Sequence, residues 1–290
     1  MDRAGCAMLA GSCQRFQERR ERYRPAGEVI DPARFEVEPI EELTAKRFVE
    51  RHHYSGSYPA ACVRVGLFRR ALWHVRDLVG VAVFSVPPQP AAIPRWTGTH
   101  AGLELGRLVL LHDVPGNGES WFLGGAFRVL QAERPALRAV LSYSDPMVRR
   151  TEAGDLVTPG HVGVIYQAHN GRHVGRSQAR WLYFDPRGQL VSRRGYDKIR
   201  AEHDPVKGKG AAGAYAALLA QGAPPRRLSE DGPAYVDRML REGPWTRVRH
   251  PGNLAYVWPI GADRSRTAEG FPPALPYVRK DAGIVDPLAA

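Results

Sequence analysis

The chain has 290 residues, of which 43% are hydrophobic and 24% are charged, a balance typical of a globular protein with a substantial core. No apolar run approaches the roughly 18–20 residues of a membrane helix, and the N-terminal residues alternate small side chains with Arg and Glu, so we expect neither a membrane span nor a secretion signal. Lys and Arg number 41 against 30 Asp and Glu, and the resulting charge of +11 favours an anionic partner, nucleic acid first.

The three cysteines are odd in number and lack the spacing of metal ligands. Cys6 and Cys13 lie near the N-terminus, and Cys62 stands alone. This usage favours a reducing compartment, so we expect a cytoplasmic protein. It argues against a disulfide framework and against a structural zinc module.

The hydrophobic pattern predicts alternating helices and strands along most of the chain. Residues 1–35 are predicted to form a polar arm, with helical spacing around 14–23. Further on, apolar residues recur either at helical spacing or in short β-rich runs, most of which end at Pro or Gly. Helices are predicted at 41–53, 121–131, 160–170 and 211–220, strands at 61–68, 78–86, 102–111 and 137–143, and a hairpin at 181–192 around Asp185-Pro186-Arg187-Gly188.

Strands separated by helices predict an α/β or α+β domain with a mixed central sheet flanked by helices. Three regions are expected: the arm at 1–35, a main domain at 36–206, and a Pro- and Gly-rich extension at 207–290. The extension holds too many aromatic residues for a disordered linker. We therefore expect an irregular segment that packs against the main domain.

The positive charge is concentrated between Gly171 and Gly210. This stretch, which includes the predicted hairpin, holds ten basic and four acidic residues. Clustered charge is better evidence for a polyanion-binding surface than scattered charge, although a basic enzyme encoded by an Arg-rich genome would have a similar composition. The predicted phosphate-binding residues are Arg193, Arg194, Lys198, Arg200, Lys207 and Lys209.

A strand, a loop and a helix follow one another over residues 105–126. The loop contains Gly116, Asn117 and Gly118, and Asn117 or Ser120 is predicted to cap the helix. The first amides of a helix are unpaired and attract anions, so this loop could seat a phosphate or a carboxylate. A capped turn without a ligand explains the same residues equally well, because the segment lacks the Lys of a phosphate-binding loop.

Asp145 ends a predicted strand and immediately precedes Pro146. Ligands of open α/β sheets bind beside the ends of strands, so Asp145 is a candidate for accepting a proton or orienting an amine. The alternative is an Asp that only starts the turn imposed by Pro146.

The third predicted helix carries several polar side chains. His161 and Tyr166 are candidate acid–base groups, and Gln167 is a candidate for hydrogen bonding to the Watson–Crick edge of a base. The alternative for Tyr166 is core packing, the commoner role of a helical tyrosine. His161, His169 and His173 raise the question of a metal site, but no second pair of ligands stands at helical spacing, so none is predicted.

His53 and Tyr54 close the first predicted helix. Histidines in a last helical turn interact favourably with the helix dipole, which explains His53 without any ligand. The functional alternative is a rim of aromatic and polar groups that holds a substrate base.

In this order, the segments resemble the Mom-type DNA-modification proteins of phages, whose fold is akin to that of the GNAT acyltransferases. The resemblance covers roughly residues 41–196, over half of the chain, and the ordered set is more specific than any single piece. The matching pieces are His53-Tyr54-Ser55-Gly56, Glu104-Leu105-Gly106-Arg107-Leu108 with Asn117-Gly118-Glu119-Ser120, Ser142-Tyr143-Ser144-Asp145-Pro146, and Gly160-His161-Val162-Gly163-Val164-Ile165-Tyr166-Gln167-Ala168.

The resemblance implies a GNAT-like sheet and a group transferase acting on double-stranded DNA. Its product would be adenine carrying a carbamoylmethyl (acetamido) group on N6, which protects the DNA from restriction. By position, Asp145 and Tyr166 would lie at the reacting centre. The residues expected to hold an acyl donor, acetyl-CoA or a related compound, are Arg107, Gly116, Asn117, Gly118 and Ser120. Those expected around the base are His53, Tyr54, His161 and Gln167.

This sequence departs from the pattern in two places. The loop 114–120 lacks the Gln/Arg-x-x-Gly-x-Gly signature with which GNAT enzymes bind pyrophosphate. Residues 149–158 resemble an insertion between the Asp145 strand and the His161 segment.

Two other functions are compatible with the sequence. A GNAT-type N-acetyltransferase acting on a small-molecule or protein amine would consume acetyl-CoA without DNA. A non-catalytic DNA-binding phage accessory protein would keep salt-dependent DNA binding but would be insensitive to substitution of Asp145 or Tyr166. In each case the expected location is the cytoplasm, that of the bacterial host if a phage encodes the chain.

Overall fold

The computed structural model describes residues 29–70 and 75–287, together with the backbone of two preceding strands. These strands, β1 (Ser12–Gln17) and β2 (Arg20–Pro25), pair antiparallel. The helix predicted around 14–23 is therefore wrong. Without an apolar helical face to bury, the backbone groups of this segment are satisfied between strands instead.

The remaining elements follow the alternation that the hydrophobic pattern predicts. The strands are β3 (Phe35–Pro39), β4 (Ala61–Arg70), β5 (Arg76–Ser85), β6 (Gly102–Leu110), β7 (Ala139–Ser144), β8 (Arg149–Arg150), β9 (Leu156–Thr158), β10 (Arg172–Arg176), β11 (Arg180–Phe184), β12 (Thr246–His250) and β13 (Leu254–Pro259). The helices are α1 (Glu42–His52), α2 (Ala92–Thr97), α3 (Gly118–Glu133), α4 (Val164–Ala168), α5 (Arg193–Arg200), α6 (Ala211–Ala220), α7 (Gly232–Glu242), α8 (Arg264–Glu269) and α9 (Lys280–Gly283), with a 3-10 turn at Pro32–Arg34.

Seven strands form one central sheet in the order β10-β13-β7-β6-β5-β4-β3. Every neighbouring pair is antiparallel except β6 and β7, which are parallel. Helices pack on both faces, so the predicted mixed α/β sheet flanked by helices is confirmed.

The two faces of the sheet have separate apolar cores because successive side chains of a strand point to opposite sides. On β5, Val83 packs with Phe48 of α1. The next residue, Phe84, packs with Phe122 of α3. Ile30 and Phe35 also belong to the α3 core, so the predicted arm ends too late in the sequence.

Two compact units make up the chain. Unit 1 comprises Met1–Pro146, Pro159–Ser177 and Gly252–Val285, and it contains the central sheet. Unit 2 comprises Met147–Thr158, Gln178–Pro251 and Asp286–Ala290. Unit 2 has its own core between α5, α6 and α7, built on Tyr235 and Met239.

This division corrects the predicted boundary after residue 206 and the predicted irregular extension. Residues 207–290 contain helices and strands, and β13 lies inside the central sheet, where it pairs with β7 and β10. Its pairing is long-range, so the local composition of the segment does not reveal it. The apparent insertion at 149–158 forms the two-stranded β8–β9 pair of unit 2.

Two local predictions need correction. The helix predicted at 160–170 is limited to α4, because Gly163 and Asn170 adopt left-handed φ angles of 76° and 56° on either side of it. The predicted turn at Asp185 forms, with its carboxylate accepting hydrogen bonds from Arg187 N and Gln189 N. The strand expected to follow it is reduced to one bridge, since β11 pairs with β12 instead.

Within the described ranges, none of the helices has both the length and the apolarity needed to cross a bilayer.

Candidate active site

The site lies where β6 and β7 separate. These strands pair only between Gly102–Glu104 and Ala139–Leu141. Beyond that point β6 stays paired with β5, and β7 with β13, so the parallel ladder opens. Ser142, the first residue past the ladder on β7, donates a 2.9 Å hydrogen bond from Oγ to the carbonyl oxygen of Leu105, its counterpart on β6.

Tyr166 reaches this opening from α4. Its phenol hydrogen-bonds to Ser142, and its ring packs against Tyr256 and Trp258, with centroids 5.6 Å away in each case. Burial raises the pKa of the Tyr166 phenol to about 12, against the lowering effect of the Ser142 hydroxyl. The phenol is therefore neutral at physiological pH and carries a proton that it can donate. Tyr166 therefore both packs in the core and lies in the site.

Arg107 brings a positive charge to the site. It follows Gly106 at a bulge in β6, where Leu105 pairs with Phe84 and Arg107 with Val83. Its Nε and Nη2 donate to the backbone oxygen (2.9 Å) and the Oγ (2.8 Å) of Ser57, and its Nη1 donates to the Gly106 oxygen (2.6 Å).

All three acceptors of Arg107 are uncharged. Two of the five N–H groups of its guanidinium have no acceptor among the described residues. Burial lowers the pKa of Arg107, although a guanidinium stays protonated in proteins. A desolvated cation with spare donors suits an anionic or carbonyl-bearing ligand.

Glu104 was not predicted as a site residue. Its Oε2 is buried and has no hydrogen-bond partner among the described residues. Burial raises the pKa of this carboxyl, and the positive charge of Arg107 partly offsets the shift. A buried carboxyl without a partner costs stability, which makes Glu104 a further candidate for the chemistry. The one signal in the sequence is an acid between two leucines of a strand.

Three rings extend from Tyr166 to the end of α1. The His161 ring lies 6.3 Å from that of Tyr166 and 6.4 Å from that of Tyr54, and Tyr54 stacks on His53 at 4.3 Å. The predicted residues His53, Tyr54, His161 and Tyr166 thus belong to one continuous group of rings. Aromatic surfaces of this kind suit a planar heterocycle.

Both histidines of this group are neutral. Burial lowers the pKa of His53 well below its usual value, and the positive charge of Arg107 adds to the effect. His53 Nδ1 accepts a 3.1 Å hydrogen bond from the Ser55 N–H, which leaves the ring proton on Nε2. Burial also lowers the pKa of His161, against the raising effect of the Asp145 carboxylate.

Asp145 lies beside His161 at the end of β7. The backbone N–H of His161 donates a 2.7 Å hydrogen bond to the backbone oxygen of Asp145. The Asp145 carboxylate also acts electrostatically on the His161 imidazole. Asp145 is half-buried. Asp145 and Tyr166, the predicted pair, therefore both lie near His161.

Gln167 is not brought into this group. Its Nε2 donates to the backbone oxygens of Val162 and Val278 and to the Tyr256 hydroxyl, at 3.0–3.1 Å. These contacts occupy the amide donor inside unit 1, so they give Gln167 a role in holding α4.

The loop before α3 has few groups that could bind an anion. The Gly116 oxygen accepts a hydrogen bond from Ile30 N, and Asn117 takes the N-cap position with φ 60° and without a side-chain cap. The predicted cap by Ser120 is wrong, because Ser120 lies inside the first turn. That turn also contains the buried Glu119, whose charge already complements the helix dipole. Residues 114–120 contain no basic side chain.

The six predicted phosphate-binding residues lie in unit 2 and divide into two groups. Arg193, Arg200 and Lys207 are paired with carboxylates of the same unit, those of Asp197, Asp237 and Asp204. Within the described part of the chain, Arg194, Lys198 and Lys209 have no carboxylate partner. The described residues also hold no cluster of three or more His, Cys, Asp or Glu side chains arranged for a metal ion.

Comparison with known proteins decides the family. A model of the Mom protein family matches residues 34–207, more than half of the chain. The chain belongs to the Mom protein family. The Methylcarbamoylase mom of Escherichia phage Mu is 27% identical over 152 residues, which cover 51% of this chain and 57% of that protein, so the alignment spans little more than half of the relative's length.

The Mom family match covers the described site from His53 to Tyr166 and ends before β12 and β13. Among solved structures, a tandem GNAT protein from the clavulanic acid biosynthesis pathway (without AcCoA) aligns over 79% of this chain and 99% of its own, at 8% identity and a TM-score of 0.38.

Proposed function

We propose that this Mom family member modifies adenine in DNA, transferring a carbamoylmethyl group to the N6 amine and thereby protecting the DNA from restriction. The observation that carries the proposal is the group of residues at the β6–β7 opening. There a neutral phenol and two neutral imidazoles form a continuous group of rings, with carboxyl groups and a partly buried guanidinium close to them. The phage Mu relative is named a methylcarbamoylase, which supports transfer of a small amide-containing group.

The N6 amine of adenine is a poor nucleophile because its lone pair is delocalised into the ring. Transfer therefore requires a positioned donor and removal of a proton as the bond forms. In the proposed step, the amine nitrogen bonds to the electrophilic carbon of the donor while the bond from that carbon to the leaving group breaks. Asp145, oriented beside neutral His161, accepts the amine proton, and Tyr166 gives its phenolic proton to the leaving group.

Arg107 is proposed to hold the donor through its two spare N–H groups. An amide or carboxyl oxygen of the transferred group is a suitable acceptor for them. Glu104, next to this guanidinium, is proposed to orient an N–H of the same group through its unpartnered Oε2.

The fit to coenzyme A is poor. The pyrophosphate of an acyl-CoA would need cations or free helix amides at 114–120, where the chain offers Glu119 and no basic residue. Acetyl-CoA is therefore not the proposed donor, and the donor is defined only by the group that it transfers.

A base in duplex DNA must leave the stack to reach such a site. The rings of His53, Tyr54 and His161 are proposed to hold the extruded adenine by stacking. Three basic residues of unit 2, exposed Arg194 and Lys209 and half-buried Lys198, are proposed to bind phosphates and so anchor the duplex.

The test is to express the chain in bacteria, digest the cellular DNA to nucleosides and analyse them by mass spectrometry. The proposal expects a new adenosine species with the mass of one added carbamoylmethyl group. Asp145→Asn is expected to abolish that species while duplex binding by the purified protein survives. Unmodified DNA in cells that contain intact, folded wild-type protein would contradict the proposal, and acetyl-CoA turnover on amines without DNA would favour an ordinary N-acetyltransferase.

A further inference from the structure

Strands β11 and β12 of unit 2 form a two-stranded antiparallel ribbon. Their sequences, Arg-Trp-Leu-Tyr-Phe and Thr-Arg-Val-Arg-His, contain no acidic residue. Phe184 and His250, at opposite ends of the two strands, are buried, so the ribbon is fixed to its unit. The match to the Mom family ends before β12, and the ribbon is not part of the site described above.

Two guanidiniums form cation–π contacts with one indole on the exposed side of this ribbon. Trp181 lies directly opposite Arg249 in the register, with Arg247 diagonal to it. The guanidinium carbon of Arg247 is 4.1 Å from the centre of the Trp181 ring system, and that of Arg249 is 5.5 Å away. The indole remains 47% exposed. A large aromatic group is thus kept at the surface, where it orders two cations.

These arginines differ from most others in unit 2. Arg187, Arg200, Arg226, Arg227 and Arg238 each form an ion pair with a carboxylate of the unit. In the described residues, no carboxylate lies within ion-pair distance of Arg180, Arg247 or Arg249. The ribbon therefore presents ordered positive charge that the protein itself does not neutralise.

We propose that the β11–β12 ribbon is a contact surface for the phosphate backbone of duplex DNA. The N–H groups of a guanidinium lie in its own plane. A guanidinium held over an aromatic ring can therefore use them for bidentate contact with a phosphate. Duplex DNA carries one charge per about 1.7 Å of its axis, so adjacent guanidiniums can each meet a phosphate. A two-stranded ribbon fits the major groove of B-form DNA, whereas the major groove of A-form RNA is too narrow.

That the polymer is DNA rests on the proposed function, and the ribbon adds a specific binding surface to that proposal. Arg247 and Arg249 would bind phosphates, while Trp181 would hold their planes in place. Arg180, exposed at the start of β11, would extend the same contact.

The test measures binding of the full-length protein to a fluorescently labelled duplex by anisotropy, at salt concentrations between about 50 and 200 mM. R247A/R249A is expected to weaken binding by roughly tenfold or more. It is also expected to reduce the slope of log K against log salt by about 2. The charge-matched control is R227A/R241A, which removes two exposed arginines of unit 2 that lie outside the ribbon and is expected to bind like the wild type.

Two further measurements separate geometry from charge. R247K/R249K keeps the charge but loses the planar stack, so its affinity is expected to fall between those of the wild type and R247A/R249A. In the wild-type protein, hydrogen exchange of the backbone amides of residues 180–184 and 246–250 is expected to slow when duplex DNA is added. Any of three results would overturn the inference. R247A/R249A could bind duplex DNA as tightly as the wild type, the R227A/R241A control could lose as much affinity, or the protein could bind double-stranded RNA more tightly than DNA.

Failure of the inference can be told apart from failure of the proposed function. If the wild type modifies adenine in cells but the ribbon variants bind duplex normally, only the ribbon assignment is wrong. If the ribbon binds DNA as expected but cellular DNA carries no new adenosine species, the ribbon assignment stands and the transfer reaction is wrong.

Discussion

Ser142 Oγ donates its 2.9 Å hydrogen bond to the Leu105 carbonyl oxygen across the point where β6 and β7 separate. The backbone ladder ends at this point, so a side chain satisfies a buried carbonyl that would otherwise lack a partner. The same hydroxyl also forms a hydrogen bond with the Tyr166 phenol. Ser142 therefore links β6 to β7 where their ladder ends, and it also positions the phenol that we propose as the proton donor.

Ser142→Ala is expected to reduce DNA modification strongly and to lower the free energy of unfolding by about 1–3 kcal/mol, because two hydrogen bonds are lost. The measurements are chemical denaturation and nucleoside analysis of cellular DNA. Ser144→Ala is the matched control: this residue lies two positions further on the same strand, and its buried Oγ has no hydrogen-bond partner among the described residues. Equal effects of the two substitutions would show that the Ser142 hydrogen bonds contribute nothing specific.

Glu104→Gln is expected to lower DNA modification without lowering stability at neutral pH. Burial raises the pKa of Glu104 above 4.5, so the folded state binds the proton more tightly than the unfolded state. Glu104 therefore stabilises the fold at low pH, and this contribution is lost as pH rises from 4.5 through the folded pKa. Glu104→Gln should remove that pH dependence in denaturation experiments. A variant that is markedly less stable at neutral pH would assign Glu104 to the fold instead.

The sequence predicts the parts of the fold that depend on local pattern. Helix α1 and strands β4 and β5 were expected within a few residues, because each has a regular apolar period and a clear end signal. Arg107, Asp145 and Tyr166 were predicted as site residues from the resemblance of the ordered segments, and their roles stay a prediction. The structure places Asp145 and Tyr166 near His161, and Arg107 close enough to Tyr166 to act on it electrostatically.

The features that were missed depend on contacts between distant segments. Glu104 alternates with Leu103 and Leu105, which is typical of a solvent-facing residue, but Ile93 of α2 covers Gly102 on the same face. In the same way, Trp181 meets Arg247 and Arg249 only because β11 pairs with β12 rather than with the segment after Asp185. Periodicity contains no information about which distant strand will pair.

Gly163→Ala is expected to destabilise the protein and to reduce DNA modification by displacing Tyr166. Gly163 has φ 76°, and an added Cβ would lie 2.7 Å from Tyr256 Cε2 and 2.9 Å from Tyr166 Cδ2. The left-handed conformation alone costs about 1–2 kcal/mol for a residue with a side chain. Gly154→Ala is the control, because Gly154 has φ 89° with nothing within 4 Å of the added atom. Thermal unfolding should show a larger loss for Gly163→Ala than for the control, and only Gly163→Ala should reduce modification. Similar results for both would mean that backbone strain alone explains the change.

His53→Asn is expected to make the protein less sensitive to acid. The folded pKa of His53 lies well below 6.5, mainly because the ring is buried. As pH falls below 6.5, the unfolded state gains this proton first, so the free energy of unfolding decreases until pH passes the folded pKa. Asparagine stays neutral and can place an oxygen where His53 Nδ1 now accepts from the Ser55 N–H. Denaturation curves measured between about pH 7 and pH 5 should therefore show a smaller loss of stability for His53→Asn than for the wild type. Some pH dependence should remain, because the pKa of His161 is also lowered by burial. An unchanged acid sensitivity in this variant would show that His53 does not titrate with unfolding.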